Sequence, residues 1–210
     1  MTILFFGDSI TWGAWDEQGG WVARIKKFVD KKVIDTNFSY YHDAYNIGIS
    51  GDKTSDLLER FDFETQQRLN EEEETVFVFA IGINDSQFVD NQGNVTPIDE
   101  FKINIENLIT KAKKYSNKII FVGLIPVDDS KLTLTSWESD KSYKLEYVSQ
   151  YNKIIEQICQ SKHVHFINLY DEFLNKNYKE LLIDGLHPNS EGHKQISEKV
   201  LKFLQEKKFI

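Results

Sequence analysis

The chain has 210 residues, 40% of them hydrophobic and 28% charged, which is ordinary for one globular domain, 1–210, built around a single core. A net charge of −8 argues against general affinity for nucleic acid or anionic membrane, because neutralising phosphate needs clustered Lys and Arg. One cysteine, Cys159, excludes an internal disulfide; no stretch reads as a membrane span, and the N-terminus enters a strand with no basic region or cleavage site, so a cytoplasmic protein with no integral membrane association is expected.

Short runs rich in Val, Ile and Phe alternate with longer segments of helical period, the pattern of parallel strands joined by helical crossovers. The first strand is Thr2–Phe6, stopped at Gly7 and followed at once by Asp8-Ser9-Ile10-Thr11. A helix over Gly20–Lys32 carries Trp21, Ile25, Phe28 and Val29 on one face, with Lys26-Lys27 and Lys31-Lys32 as its solvated side. Strand two, Asp43–Ile47, leads through Gly48-Ile49-Ser50-Gly51-Asp52 into a helix over Thr54–Leu69. The run Glu71–Glu74 reads as a solvated loop before strand three, Val76–Ile81, which ends at Gly82. Thr96-Pro97-Ile98-Asp99 has the form of a helix start: a capping Thr, Pro at the first helical position and an acid three residues after the cap. Strand four is Ile119–Ile125. A polar stretch from Val127 to about Lys141, with Trp137, is the longest candidate lid or binding loop. A helix with Tyr147, Tyr151, Ile154 and Ile158 in register follows, with Cys159 beside its apolar stripe, then strand five, Val164–Leu169, and a last helix over Ser190–Gln205.

Five strands with interleaved helices predict a three-layer α/β/α sandwich around a five-stranded parallel sheet of flavodoxin-like order 2-1-3-4-5. In that order strands one, two and three are neighbours, so Ser9, the Gly48–Gly51 loop and Gly82-Ile83-Asn84-Asp85 share one rim. A nucleophilic serine needs a base, and an acyl-transfer transition state needs donors for its oxyanion. The N–H groups of Ser9 and Gly51 and the Asn84 amide could supply the donors; taken singly, each of these residues also fits a plain turn. Of the five histidines, His163 and His165 flank the start of strand five, His42 has only the adjacent Asp43, and His193 shares a helix face with Ile196 and Val200. His187 sits in the loop after the last strand, three residues beyond Asp184 with Gly185 between, a spacing that lets the carboxylate orient one ring nitrogen. That loop starts about 14 Å along the sheet from strand one, so it must reach back across the rim.

Gly7-Asp8-Ser9-Ile10-Thr11, Asn46-Ile47-Gly48-Ile49-Ser50-Gly51, Gly82-Ile83-Asn84-Asp85 and Asp184-Gly185-Leu186-His187-Pro188 resemble, in order, the four sequence blocks of the SGNH hydrolases, the GDSL-type esterases and lipases. The resemblance spans nearly the whole chain and departs only at Ile10, where the family name has Leu. It implies the three-layer fold, Ser9 as nucleophile and oxyanion donor, Gly51 and Asn84 as further donors, His187 as base and Asp184 as its orienting partner. It implies hydrolysis of a small-molecule carboxylic ester through an acyl-enzyme on Ser9, with activity rising as the base loses its proton, and no metal or organic cofactor.

Small, soluble short-acyl or O-acetyl esters are the expected substrates, with lysophospholipase or thioesterase activity by the same mechanism as the alternative. Trp12, Trp15 and Trp137 are candidate pocket walls. A non-catalytic phosphate- or flavin-binding module, with Ser9 and Thr11 cradling the ligand, is a reading from another class. A metal-dependent phosphohydrolase using Asp8, Asp85, Asp184 and His187 is a third; Asp8 and Asp85 read better as carboxylates that fix loops through backbone N–H groups.

Overall fold

The computed structural model of the chain describes residues 1–70, 72–132 and 141–210. Trp137 and most of the expected lid lie outside the described residues, as does Glu71. In chain order the elements are β1 (Thr2–Gly7), α1 (Ser9–Trp12), α2 (Gly20–Asp35), β2 (Asp43–Gly48), α3 (Thr54–Gln66), β3 (Thr75–Ala80), β4 (Phe88–Val89), β5 (Gly93–Asn94), α4 (Ile98–Ala112), β6 (Ile119–Val122), β7 (Lys141–Ser142), α5 (Leu145–Lys162), β8 (His165–Ile167), α6 (Tyr170–Leu174) and α7 (Ser190–Glu206). The main sheet is parallel with order β2-β1-β3-β6-β8. Counting only its own strands, this is the expected 2-1-3-4-5.

Strand β1 shows why the sheet sits between two helical layers. Its side chains alternate in direction, and both sets are buried. Ile3 and Phe5 join a cluster with Trp21, Ile25 and Val29 of α2 and Ile196, Val200 and Leu204 of α7. Leu4 and Phe6 join the opposite cluster, with Leu57 and Phe61 of α3, Phe101 and Ile105 of α4, and Tyr151 and Ile155 of α5. Right-handed crossovers require this division. The path from β1 to β2 runs one way along the sheet, and every later strand-to-strand step runs the other way, so α2 lies on one face and α3, α4 and α5 on the other.

Several boundaries differ from those expected. The ladder of β6 stops at Val122, because the Leu124 N–H turns to Asn152 Oδ1 at 2.9 Å instead of a neighbouring strand. Thr96 does not cap α4: the helix starts at Ile98 with Pro97 in the cap position. The Thr96 backbone is engaged elsewhere, its N–H on Asp85 O at 3.2 Å and its carbonyl accepting from the Tyr151 hydroxyl. In the acidic run, Glu73 pairs with the N-terminal ammonium and Glu74 with Lys118. A second, antiparallel sheet of order β5-β4-β7 was not expected; its strands are two residues long and too short to show a period. Cys159 is fully buried, and burial pushes its thiol up to about 12. Among the described residues no helix is long and apolar enough to cross a membrane.

Candidate active site

The register of the sheet sets the rim. Gly7 lies level with Gly48 of β2 and Ala80 of β3, so the loops that follow these strands leave the sheet side by side. A Cβ on Gly7 would sit 2.1 Å from Thr11 Oγ1 and 2.3 Å from Ala80 O, so only glycine lets the chain turn this closely into α1. Asp8 caps that short helix, its Oδ1 accepting from Ile10 N–H at 3.0 Å. Burial pushes the Asp8 carboxyl up to about 7, against the opposing effects of the Ile10 N–H and nearby His187. Asn46 of β2 clasps the other end, donating to the carbonyls of Thr11 and Trp12 at 2.9 and 3.3 Å. Ser9 is thereby held on the first turn of α1, 8% exposed.

The loop after α6 does reach back. Gly185, at φ +98°, turns the chain, and its carbonyl accepts from Asp128 N–H at 2.8 Å beyond the end of β6. The returning strand is tied by Ile183 N–H to His187 O at 2.9 Å and by Asn189 N–H to Leu181 O at 2.8 Å. Asp184 Oδ1 accepts from the N–H groups of Leu186 and His187 at 2.8 and 2.7 Å, and its Oδ2 meets His187 Nδ1 at 2.6 Å. Burial by itself would raise the Asp184 carboxyl, but the hydrogen bonds from His187 and the Leu186 N–H prevail and hold it below its ordinary value. A carboxylate can only accept, so Nδ1 carries the proton and Nε2 is left to accept. His187 Nε2 lies 3.0 Å from Ser9 Oγ, across 178 residues of sequence.

Gly51 and Asn84 border the same opening as Ser9 and His187. Gly51 has φ +86° with nothing within 4 Å of where its Cβ would be, so here glycine serves the backbone turn rather than packing. Asn84 Nδ2 donates to Asp52 O at 2.9 Å, and its Oδ1 accepts from Tyr143 O–H at 2.8 Å. Asp52 is itself anchored by Arg60 Nε at 2.7 Å, and Arg60 also reaches Gly7 O at 3.2 Å. Arg60 and Tyr143 were not singled out from the sequence, since both lie outside any motif and Tyr143 meets Asn84 across 59 residues. Asp85 fixes its loop as expected, accepting from Thr54 N–H at 3.0 Å and Thr54 Oγ1 at 2.6 Å; burial raises its carboxyl despite these bonds.

The cleft over these groups measures about 300 Å³. Trp15 forms one wall, 64% exposed, its ring meeting the His187 ring edge-on at 6.0 Å. Trp12 is exposed on α1 but does not line the cleft. Tyr143, directly after β7, and Leu186 also line it. The other readings fit less well. Thr11 is buried, its hydroxyl turned to Ala80 O at 3.3 Å, so it does not face a ligand beside Ser9. Asp85 is buried against Thr54, so the four residues of the phosphohydrolase reading do not form one open ligand set. His193 is fully buried, and burial pushes its ring down to about 4, the state of a packed core histidine.

Residues 5–195 match the family model of the GDSL-like lipase/acylhydrolases. The isoamyl acetate-hydrolyzing esterase of Saccharomyces cerevisiae is 26% identical over 136 residues, spanning 60% of this chain and 54% of that protein. Among solved structures, a lipase/acylhydrolase from Enterococcus faecalis superposes with a TM-score of 0.74 at 22% identity, covering 98% of this chain and 96% of that one. Axe2, an acetylxylan esterase from Geobacillus stearothermophilus, superposes with a TM-score of 0.69 at 22% identity, covering 96% and 92%. At such identities the solved structures speak for the shared fold, while the family match runs from inside β1 to inside α7. The chain belongs to the GDSL-like lipase/acylhydrolase family, the SGNH hydrolases, and is a carboxylic ester hydrolase.

Proposed function

We propose that 1–210 is one catalytic domain that hydrolyses small, soluble esters with a short acyl or O-acetyl group by way of an acyl-enzyme on Ser9. The observation that carries this is the chain of contacts from Ser9 Oγ through His187 to Asp184, 3.0 and 2.6 Å, at the floor of a cleft. As Ser9 Oγ attacks the ester carbonyl, His187 Nε2 takes its proton, and Asp184 steadies the imidazolium. Negative charge gathers on the former carbonyl oxygen, where the N–H groups of Ser9 and Gly51 and the Asn84 amide donate to it. The tetrahedral species collapses, His187 gives its proton to the leaving alkoxide, and the alcohol departs. Water, deprotonated by the same Nε2, then attacks the acyl-enzyme, and as the second tetrahedral species collapses Nε2 returns that proton to the leaving Ser9 Oγ and the acid is freed.

The preference for short acyl groups draws on the modest cleft and on the acetyl esters named for two of the similar proteins. A cytoplasmic setting and a dissolved substrate go with this reading. The test is hydrolysis of p-nitrophenyl acetate, butyrate and octanoate by wild type and Ser9→Ala. We expect wild-type activity that falls with chain length and a variant without activity. Equal rates in both proteins would remove Ser9 as nucleophile, and a preference for octanoate would favour the lysophospholipase-like alternative.

A further inference from the structure

Resting on that reading, we infer that Tyr143 is a positioning residue for the oxyanion-binding amide of Asn84. A carboxamide presents two ends of nearly equal size, and only one of them can stabilise an anion. If Asn84 turned over about its last side-chain bond, it would offer a carbonyl oxygen to the developing negative charge. The contact to Asp52 opposes this, and the bond that Tyr143 donates would be lost by it. The Asp52 carbonyl, which can only accept, takes one N–H of Nδ2 at 2.9 Å, and the Tyr143 hydroxyl donates to Oδ1 at 2.8 Å. With one N–H held by Asp52 and Oδ1 held by Tyr143, the second N–H is the group left for the cleft that Asn84 shares with Ser9 and Gly51.

The Tyr143 contact has a second effect. A hydrogen bond donated to an amide oxygen draws electron density from the nitrogen, so the remaining N–H becomes a stronger donor. Both members are withdrawn from water, Tyr143 at 5% and Asn84 at 8% exposure, which keeps the polarisation from being screened. The Asp52 side is equally fixed, because Arg60 Nε holds the Asp52 carboxylate at 2.7 Å. This gives the small second sheet a task. Tyr143 directly follows β7, which is paired to β4 at Phe88↔Ser142 and Val89↔Lys141, and β4 follows Asn84 by only a few residues. The pairing brings the phenol to the amide from the far end of the polar stretch.

The experiment is a double-mutant cycle of Tyr143→Phe and Asn84→Ala, read on p-nitrophenyl acetate turnover and on the rate at which a fluorophosphonate labels Ser9. The phenylalanine keeps the ring, and thermal melting of each variant separates catalytic loss from unfolding. Tyr143→Phe should lower kcat about tenfold with KM little changed, and slow labelling to a similar extent. In the Asn84→Ala background the same substitution should change either rate by less than about twofold, because its partner is gone. Equal losses in both backgrounds, or no loss in the wild-type background, would overturn the assignment while leaving Ser9 as nucleophile. A wild-type protein that neither hydrolyses the ester nor labels at Ser9 would overturn the reading of the site, and this inference with it.

Discussion

At the residue scale, the three contacts around His187 define different sensitivities. In the proposed mechanism Ser9 and His187 take part in bond making, so Ser9→Ala and His187→Ala should each lower kcat by about five to six orders of magnitude. Asp184 acts through the ring, and its carboxylate also receives the Leu186 and His187 N–H groups. Asp184→Ala should therefore cost about ten- to a hundredfold less than His187→Ala, measured as kcat on one ester. An Asp184→Ala protein at full activity would show that another group orients the ring. Trp15 stands 64% exposed over the cleft with no proton to move, so Trp15→Ala should raise KM for acetate esters several-fold and leave kcat within about twofold. Ser9, Gly51 and Asn84 stood out in the sequence because each lies in a short motif just after a strand, and Asp184 and His187 because they share one motif three residues apart. Tyr143 and Arg60 did not, since a lone Tyr or Arg carries no local sign of the partner it will meet.

At the scale of elements, α3 separates buried from exposed aromatic side chains within two residues. Phe61 is fully buried among Phe6, Phe77 and Phe79, with ring centroids 5.1 to 5.8 Å apart. Phe63 on the same helix is 66% exposed. Phe61→Ala should destabilise the protein by about 3–5 kcal/mol, and Phe63→Ala by less than about 0.5 kcal/mol, in urea unfolding. Similar losses for both would mean that this layer packs otherwise. Long elements were legible because burial imposes a period on them: the apolar faces of α2, α4, α5 and α7 were all readable. Thr96 misled for an instructive reason. Its capping sequence is intact, but tertiary bonds to Asp85 and Tyr151 claim its backbone, and Pro97 takes the cap position.

At the scale of the whole molecule, proton binding ties stability to pH through the centre of the fold. The Asp8 carboxyl is raised by burial from 3.8 to about 7, so the folded chain keeps a proton that the unfolded chain releases. Stability from this group therefore falls as pH rises from about 4 to about 7, and is level above that range. Asp184 works in the opposite sense: its lowered carboxyl adds stability that is lost as the solution becomes acid. Asp8→Asn keeps an oxygen for the Ile10 N–H and removes the ionisation. Its stability relative to wild type, from urea melts, should increase by a few kcal/mol between about pH 4 and about pH 8. An unchanged difference would show that Asp8 titrates as an ordinary carboxylate. The sheet order was legible at this scale because βα alternation and four ordered motifs agreed. The return of the Asp184–His187 loop was expected as a requirement of the chemistry, but its anchor was not readable, since the Gly185–Asp128 backbone bond leaves no trace in either segment.

The contact between Ser9 and His187 closes a loop of 178 residues, and α7, which follows it in the chain, lies beside α2, where Arg24 donates to Ser190 at 2.9 Å. Loops this long close late, after local structure has formed. Ester hydrolysis is therefore a clock for the finished chain. During refolding, activity should return no sooner than the slowest change in fluorescence, and during synthesis a nascent chain whose last helix is still within the ribosome should be inert toward esters. Partly folded chains would thus reach the cell without an exposed, reactive serine.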